Sequence, residues 1–198
     1  MKSKAVLWTI CFILTIGTIV SAQQTTSSDN DKSSPPETKA PVSEEEKKKF
    51  YKLSILATAA LDEGEPEKAK EYAEALLKQA ETLPDDWNYG NAVHVGNLVL
   101  GHLALAADDL KEAKRFLLAA GNTPGSPQLN SFGPNMRLAK ALLEKGEKEV
   151  VIEYFDLCAK FWKPQTPRIA EWKTVVQKDG MPDFGANLLY QFAHPRAK

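Results

Sequence analysis

The sequence predicts an all-α protein: three helical hairpins followed by a capping helix. Three observations predict it. After residue 43, apolar residues return at helical spacing, as in Leu53, Leu56, Ala57, Ala60 and Leu61. Gly and Pro stand between such runs, where helices stop and start, at Gly64, Pro66, Pro84, Gly121, Gly146 and Pro164. Between Asn97 and Gly121, the small residues Gly101, Ala104, Ala113 and Ala120 fall where two antiparallel helices would approach closely. Gly101 is expected to be a close-packing position between the two helices.

The chain begins with a different signal. Lys2 and Lys4 precede the apolar run from Ala5 to Val20, and Val20-Ser21-Ala22 offers small residues at a cleavage site. A charged start, an apolar middle and small residues at the end predict a secretory signal peptide over 1–22, with the mature chain starting at Gln23. An uncleaved anchor is the alternative reading of the same run. Cys11 lies inside the run and leaves with it. Residues 23–43 are rich in Ser, Thr, Pro and charge, with almost nothing apolar, and predict a disordered linker.

The hairpins follow in order. Ser43 and Glu46 have the spacing of a capping box and open the first helix, which ends at Gly64. Pro66 starts its partner, which buries Ala69, Ala73, Leu76 and Ala80 and stops before Leu83-Pro84. A long helix from about Trp87 to Ala107 begins the second hairpin, and its return helix starts at Asp109. The segment 121–133, GNTPGSPQLNSFG, reads as a loop. Pro134 begins the third hairpin, Gly146 makes its turn, and Val150, Val151, Tyr154, Phe155, Cys158 and Trp162 give its last apolar face. Residues 164–198 supply a capping helix from Pro167 to Lys178, with Ile169, Trp172, Val175 and Val176 turned inward, and a tail. That tail carries Phe184, Leu188, Leu189, Tyr190 and Phe192, and is expected to fold back rather than expose them.

Residues 44–163 thus form the hairpin domain, and across 50–163 they resemble the tetratricopeptide-repeat (TPR) family. Gly64, Ala69 and Pro84 match its pattern in the first unit, and Leu100-Gly101, Ala104, Ala113 and Ala120 in the second, where Asp108 replaces the turn Gly. The third unit matches at Gly146 and Phe155. Ala113 follows Ala69 by 44 residues and Val151 follows Ala113 by 38, longer than the family repeat of about 34. The stretches NYGNAVHVGNLVLG and SPQLNSFGPNM also look like those of uncharacterised secreted bacterial TPR-like proteins. The resemblance implies a right-handed solenoid whose groove, lined by the first helix of each hairpin, holds a peptide or a partner helix. Carried over by position, the groove would contain Ser54, Thr58 and Leu61, then Val95, Leu98, His102 and Leu105, then Met136, Lys140 and Leu143. The paired Lys and Asn residues that clamp a C-terminal carboxylate in some members are missing. With three hairpins, the tail filling the groove is the competing expectation.

Composition sets outer limits. With 43% hydrophobic residues the chain can build a core. Without Lys2 and Lys4 it has 23 basic against 26 acidic residues, so no basic footprint points to nucleic acid or acidic lipid. Residues able to do chemistry are few. Asn91, His94, Leu98 and His102 fall near one face of the long helix, and Asn91 and the two histidines would suit ligand orientation or acid–base work beside the 121–133 loop. The histidines are eight residues apart, about 12 Å along a helix, too far to share one metal ion. Structural hydrogen bonding by the same side chains is the plainer reading. Cys158 remains as the single cysteine of the mature chain, which excludes an internal disulfide and suggests a buried thiol. No catalytic, cofactor or metal signature appears.

The sequence therefore predicts an exported, periplasmic or extracellular interaction or scaffold module with a protein or peptide partner and no stable membrane insertion after cleavage. Its contact candidates are Asn91, His94, Leu98, His102, Leu105, Met136 and Lys140. The alternative is an enzyme or small-ligand binder built around Asn91, His94 and His102.

Overall fold

The computed structural model describes residues 42–192. The expected signal peptide and nearly all of the expected linker lie outside the described residues, as does His194. Among the described residues the protein is all-α, with eight α-helices, two short 3-10 turns and no strand.

The first hairpin forms as its caps dictate. Helix α1 (Glu44–Asp62) opens on a complete capping box: Ser43 Oγ accepts the Glu46 N–H at 3.2 Å, and the Glu46 carboxylate accepts the Ser43 N–H at 2.8 Å. Gly64, at φ +73°, supplies the left-handed exit, and Pro66 opens α2 (Pro66–Ala80). Helix α3 (Tyr89–Ala106) begins two residues later than expected. Asp108 stands where the family pattern has Gly and still takes φ +60°, one of the few side chains that tolerate that region. Asp109 then caps α4 (Leu110–Gly121) by accepting the Glu112 N–H at 3.0 Å.

The segment 121–133 is not wholly a loop. It contains a short helix, α5 (Pro127–Phe132), because Ser126 Oγ caps the Leu129 N–H at 3.0 Å, Pro127 suits a first turn and Gly133 ends it at φ +87°. Helix α6 (Arg137–Glu144) starts three residues after Pro134, with Asn135 Oδ1 accepting the Arg137 N–H at 2.9 Å. Helices α7 (Lys148–Phe161) and α8 (Thr166–Gln177) complete the set.

Packing runs along the chain. α1 packs on α2, α3 on α4 and α6 on α7; α3 also meets α1 and α2, α4 meets α7, and α7 meets α8. Ala57, Ala69, Ala73, Ala113 and Ala120 are fully buried at the contacts between helices, where small side chains bring axes together. Gly101 is the close approach its place predicts: a Cβ there would run into Leu138 Cδ2 and lie 3.2 Å from Phe116 Cβ.

The C-terminal part covers the end of the stack. Ile169, Trp172 and Val176 of α8 are buried, whereas Val175, expected on the same face, lies on the outer side and is exposed. Phe184 is sandwiched edge-on between Trp172, at 5.1 Å, and Phe155, at 6.1 Å. Cys158 is fully buried, and that burial pushes its thiol well above the usual range, leaving it an inert core residue. The segment 188–192 then turns back across α3 and α6; we call it the strap.

Candidate functional site

Three asparagines stitch the strap to the helices. Asn135 Nδ2 donates to the Tyr190 carbonyl at 2.7 Å and to that of Leu188 at 3.4 Å. Asn187 Nδ2 donates to the Pro134 carbonyl at 2.9 Å, while its own carbonyl accepts the Met136 N–H at 2.8 Å. Gln191 Nε2 donates to Asn91 Oδ1 at 3.0 Å. At the strap's end, Phe192 is buried, edge-on to His102 at 5.9 Å and beneath the Arg137 guanidinium at 4.7 Å. Arg137 in turn is held by Asp62 at 2.8 Å, tying the end of α1 to the start of α6.

Two clefts open on this face, and Phe192 belongs to the walls of both. The first, about 370 Å³, lies between α1, the start of α3 and the strap, and is lined by Tyr51, Ser54, Ile55, Trp87, Asn88 and Gln191 among others. Ile55 and Trp87 are strongly exposed there, at 67% and 49%. Tyr51 stands beside Trp87, ring centres 5.2 Å apart, and donates its hydroxyl to Asp86 at 2.9 Å. The second, about 350 Å³, is walled by His102, Arg137, Lys140, Glu144, Leu188 and Leu189. Its charges are internally matched: Lys140 pairs with Glu144 at 3.0 Å, and Arg137 with Asp62.

The sequence-predicted residues divide sharply. Asn91 uses its whole amide. Its Oδ1 accepts from Ser126 Oγ at 2.7 Å and from Gln191, while its Nδ2 donates to Asn88 Oδ1 at 2.9 Å and Gln128 Oε1 at 3.1 Å. His94 is sealed. The Asn135 N–H donates to its Nε2 at 3.1 Å, so Nε2 is the acceptor and the proton resides on Nδ1, which donates to the Ala120 carbonyl at 2.9 Å. Burial holds this imidazole down near a pKa of about 4, the Ala120 bond only partly opposing it, so the ring is neutral. Both nitrogens are spent on backbone, leaving none for acid–base work.

Leu98 and Met136, expected as groove lining, are instead fully buried core residues. Met136 precedes α6, its side chain is fully buried, and its N–H donates to the Asn187 carbonyl just before the strap. Leu105 is half-buried against the core, Lys140 lines the second cleft, and of the two described histidines His102 reaches a cleft wall. His102 keeps some exposed surface, but its Nε2 is enclosed without a hydrogen-bond partner among the described residues. Burial, and then the nearby Arg137 charge, lower its pKa to about 4.

Asn135, Gln191 and the Asp62–Arg137 pair were not predicted. Asn135 had one local sign, an Asn placed two residues before a helix, where it accepts from the backbone. No group of three or more His, Cys, Asp and Glu side chains placed to hold a metal ion occurs among the described residues. No helix among them is long and apolar enough to cross a membrane.

Fold and face together define a class: an all-α stack of helical hairpins with a partly strapped face that carries two clefts. No protein-family model matches the chain, and comparisons with curated proteins and with solved structures also find no match.

Proposed function

We propose that this chain is an exported, TPR-like protein-interaction or scaffold module, non-catalytic, whose partner docks on the face formed by α1, α3 and α6. One observation carries the reading: the first cleft places Ile55 and Trp87, the large exposed apolar side chains of its wall, beside uncharged amides, whereas Asn91 and His94 are consumed by internal hydrogen bonds. Exposed aromatic and aliphatic anchors beside neutral polar groups suit a peptide or protein surface. Export rests on the N-terminal pattern of Lys2, Lys4, the apolar run and Val20-Ser21-Ala22. The repeat reading rests on the hairpins, their buried small residues and the left-handed turns at Gly64, Asp108 and Gly146.

The test is capture of partners from the native exported fraction by the wild-type protein and by a Trp87→Ala, Ile55→Lys double variant of unchanged helicity. Enrichment of the same protein by the wild type alone supports the reading. Equal enrichment by both would move the binding surface elsewhere, and loss of residues 1–22 from the exported form, read by mass, is the separate check on export.

A further inference from the structure

The strap covers its face without satisfying it. Five buried side-chain atoms have no hydrogen-bond partner among the described residues: Ser54 Oγ, Asp62 Oδ2, His102 Nε2, Trp162 Nε1 and Gln191 Oε1. Three of them lie in the cleft walls, and a fourth belongs to a residue that holds one wall in place. Ser54 and Gln191 line the first cleft, His102 lines the second, and Asp62 grips the Arg137 that stacks over Phe192. Native interiors leave few such groups, and each costs free energy for as long as it stays buried. Gln191 adds a second cost, since it holds φ +67° without being Gly, Asn or Asp. Phe192, by contrast, is well seated between His102 and Arg137.

We propose that the strap is a built-in stand-in for a ligand, and that the face beneath it is a receptor for an uncharged, extended protein segment bearing an aromatic side chain. This rests on the interaction reading above and names the partner and its control. The seat of Phe192 is the specificity pocket, made for a ring by the edge of His102 and the guanidinium of Arg137. An extended segment offers a backbone N–H and C=O at each residue, so it can supply partners for Ser54 Oγ and His102 Nε2. The face asks for no charge, because Arg137 and Lys140 are already paired. Release of the strap also returns Gln191 to water and relieves its backbone.

The strap's advantage is that it is tethered, which gives it an effective concentration in about the millimolar range. A competing segment sees only the fraction of molecules whose strap is open, so its apparent affinity is reduced by that fraction. Better satisfaction of the face is what lets a true partner win.

The experiment uses the full chain and a fluorescein-labelled, C-terminally amidated peptide of residues 186–192, the strap with the two residues before it, read by anisotropy. Phe192→Ala should bind it at least tenfold more tightly than the wild type, and a peptide with its own Phe replaced by Ala should not bind. Equal affinity of wild type and variant, no binding to a variant that still melts cooperatively, or binding indifferent to the peptide's Phe would each overturn the proposal. Should Phe192→Ala fail to fold, hydrogen exchange on the wild type decides: the Tyr190 and Phe192 amides should exchange at least a hundredfold faster than those in the middle of α7, and equal protection would mean that the strap opens only on global unfolding. Any of these failures leaves the capture experiment on Trp87 and Ile55 untouched, so the two readings fall separately.

Discussion

The two halves of α3 are built to opposite standards. In the N-terminal half, Asn91 makes four hydrogen bonds and His94 commits both ring nitrogens to backbone, and Gly90 lies so close to the Gly125 carbonyl that a Cβ would meet backbone. In the C-terminal half, His102 leaves Nε2 unpaired, and Gly101 faces the end of a leucine side chain. One half is a closed polar joint that fixes the loop around α5. The other is a wall against which something separable is laid. The contrast teaches that two histidines on one helix, both held neutral by burial, do different work according to whether their ring nitrogens have partners.

The sharpest way to break this comparison is His94→Ala. It strands the Ala120 carbonyl and the Asn135 N–H, each costing about 1–3 kcal/mol, so a loss of about 3 kcal/mol or more is expected in urea unfolding. A loss below about 1 kcal/mol would show that the joint is not closed. Next come the glycines. Gly90→Ala must push backbone aside and should cost about 3 kcal/mol, the upper end of overpacking. Gly101→Ala meets a side chain able to rotate and should cost about 1 kcal/mol or less. The reverse order of the two melting midpoints would exchange the roles of the two halves.

Acid sharpens the picture further. His94 titrates near 4 in the folded chain and near 6.5 once unfolded, so between those values the unfolded state binds the extra proton. Its contribution is whole above pH 6.5 and drains away as pH falls towards 4, by about 3 kcal/mol at the lower end. Stability measured from pH 7 to 4 should decline across that window, and less steeply in His94→Ala. A flat profile in the wild type would mean that the imidazole is charged or reachable by water. The smallest effect is expected at His102→Leu, which removes an unpaired polar atom and keeps the volume, so stability should change by less than about 1 kcal/mol. A large loss there would reveal a hydrogen bond that His102 makes in solution.

What the sequence could and could not disclose follows from distance along the chain. Hairpin ends were legible because caps and turns act within about four residues: Ser43 with Glu46, Gly64 before Pro66, and Gly146 at φ +85°. The short helix α5 was signed in the same local code by Ser126, Pro127 and Gly133, but a Gly- and Pro-rich composition masked it. The fold-back of the tail was legible from its apolar residues: Phe184 and Phe192 are buried, although Leu189 stays exposed. The residues that hold the tail were not legible, because Asn135 reaches Tyr190 across 55 residues and Gln191 reaches Asn91 across 100. The burial of Met136 was illegible for the same reason: its N–H donates to Asn187, from the far end of the chain.

That same span sets an order in time. The hairpins close through contacts between neighbours in sequence, the kind that form quickly, whereas docking of the strap must gather α1, α3 and α6 with a segment made long after them. Synthesis runs from the N-terminus, and domains begin to fold as they emerge. His102 and Arg137, which form the wall, are therefore made before the roughly fifty residues that lead to Phe192. At about 5–20 residues per second, the strap is made seconds after the residues of the wall on which it docks.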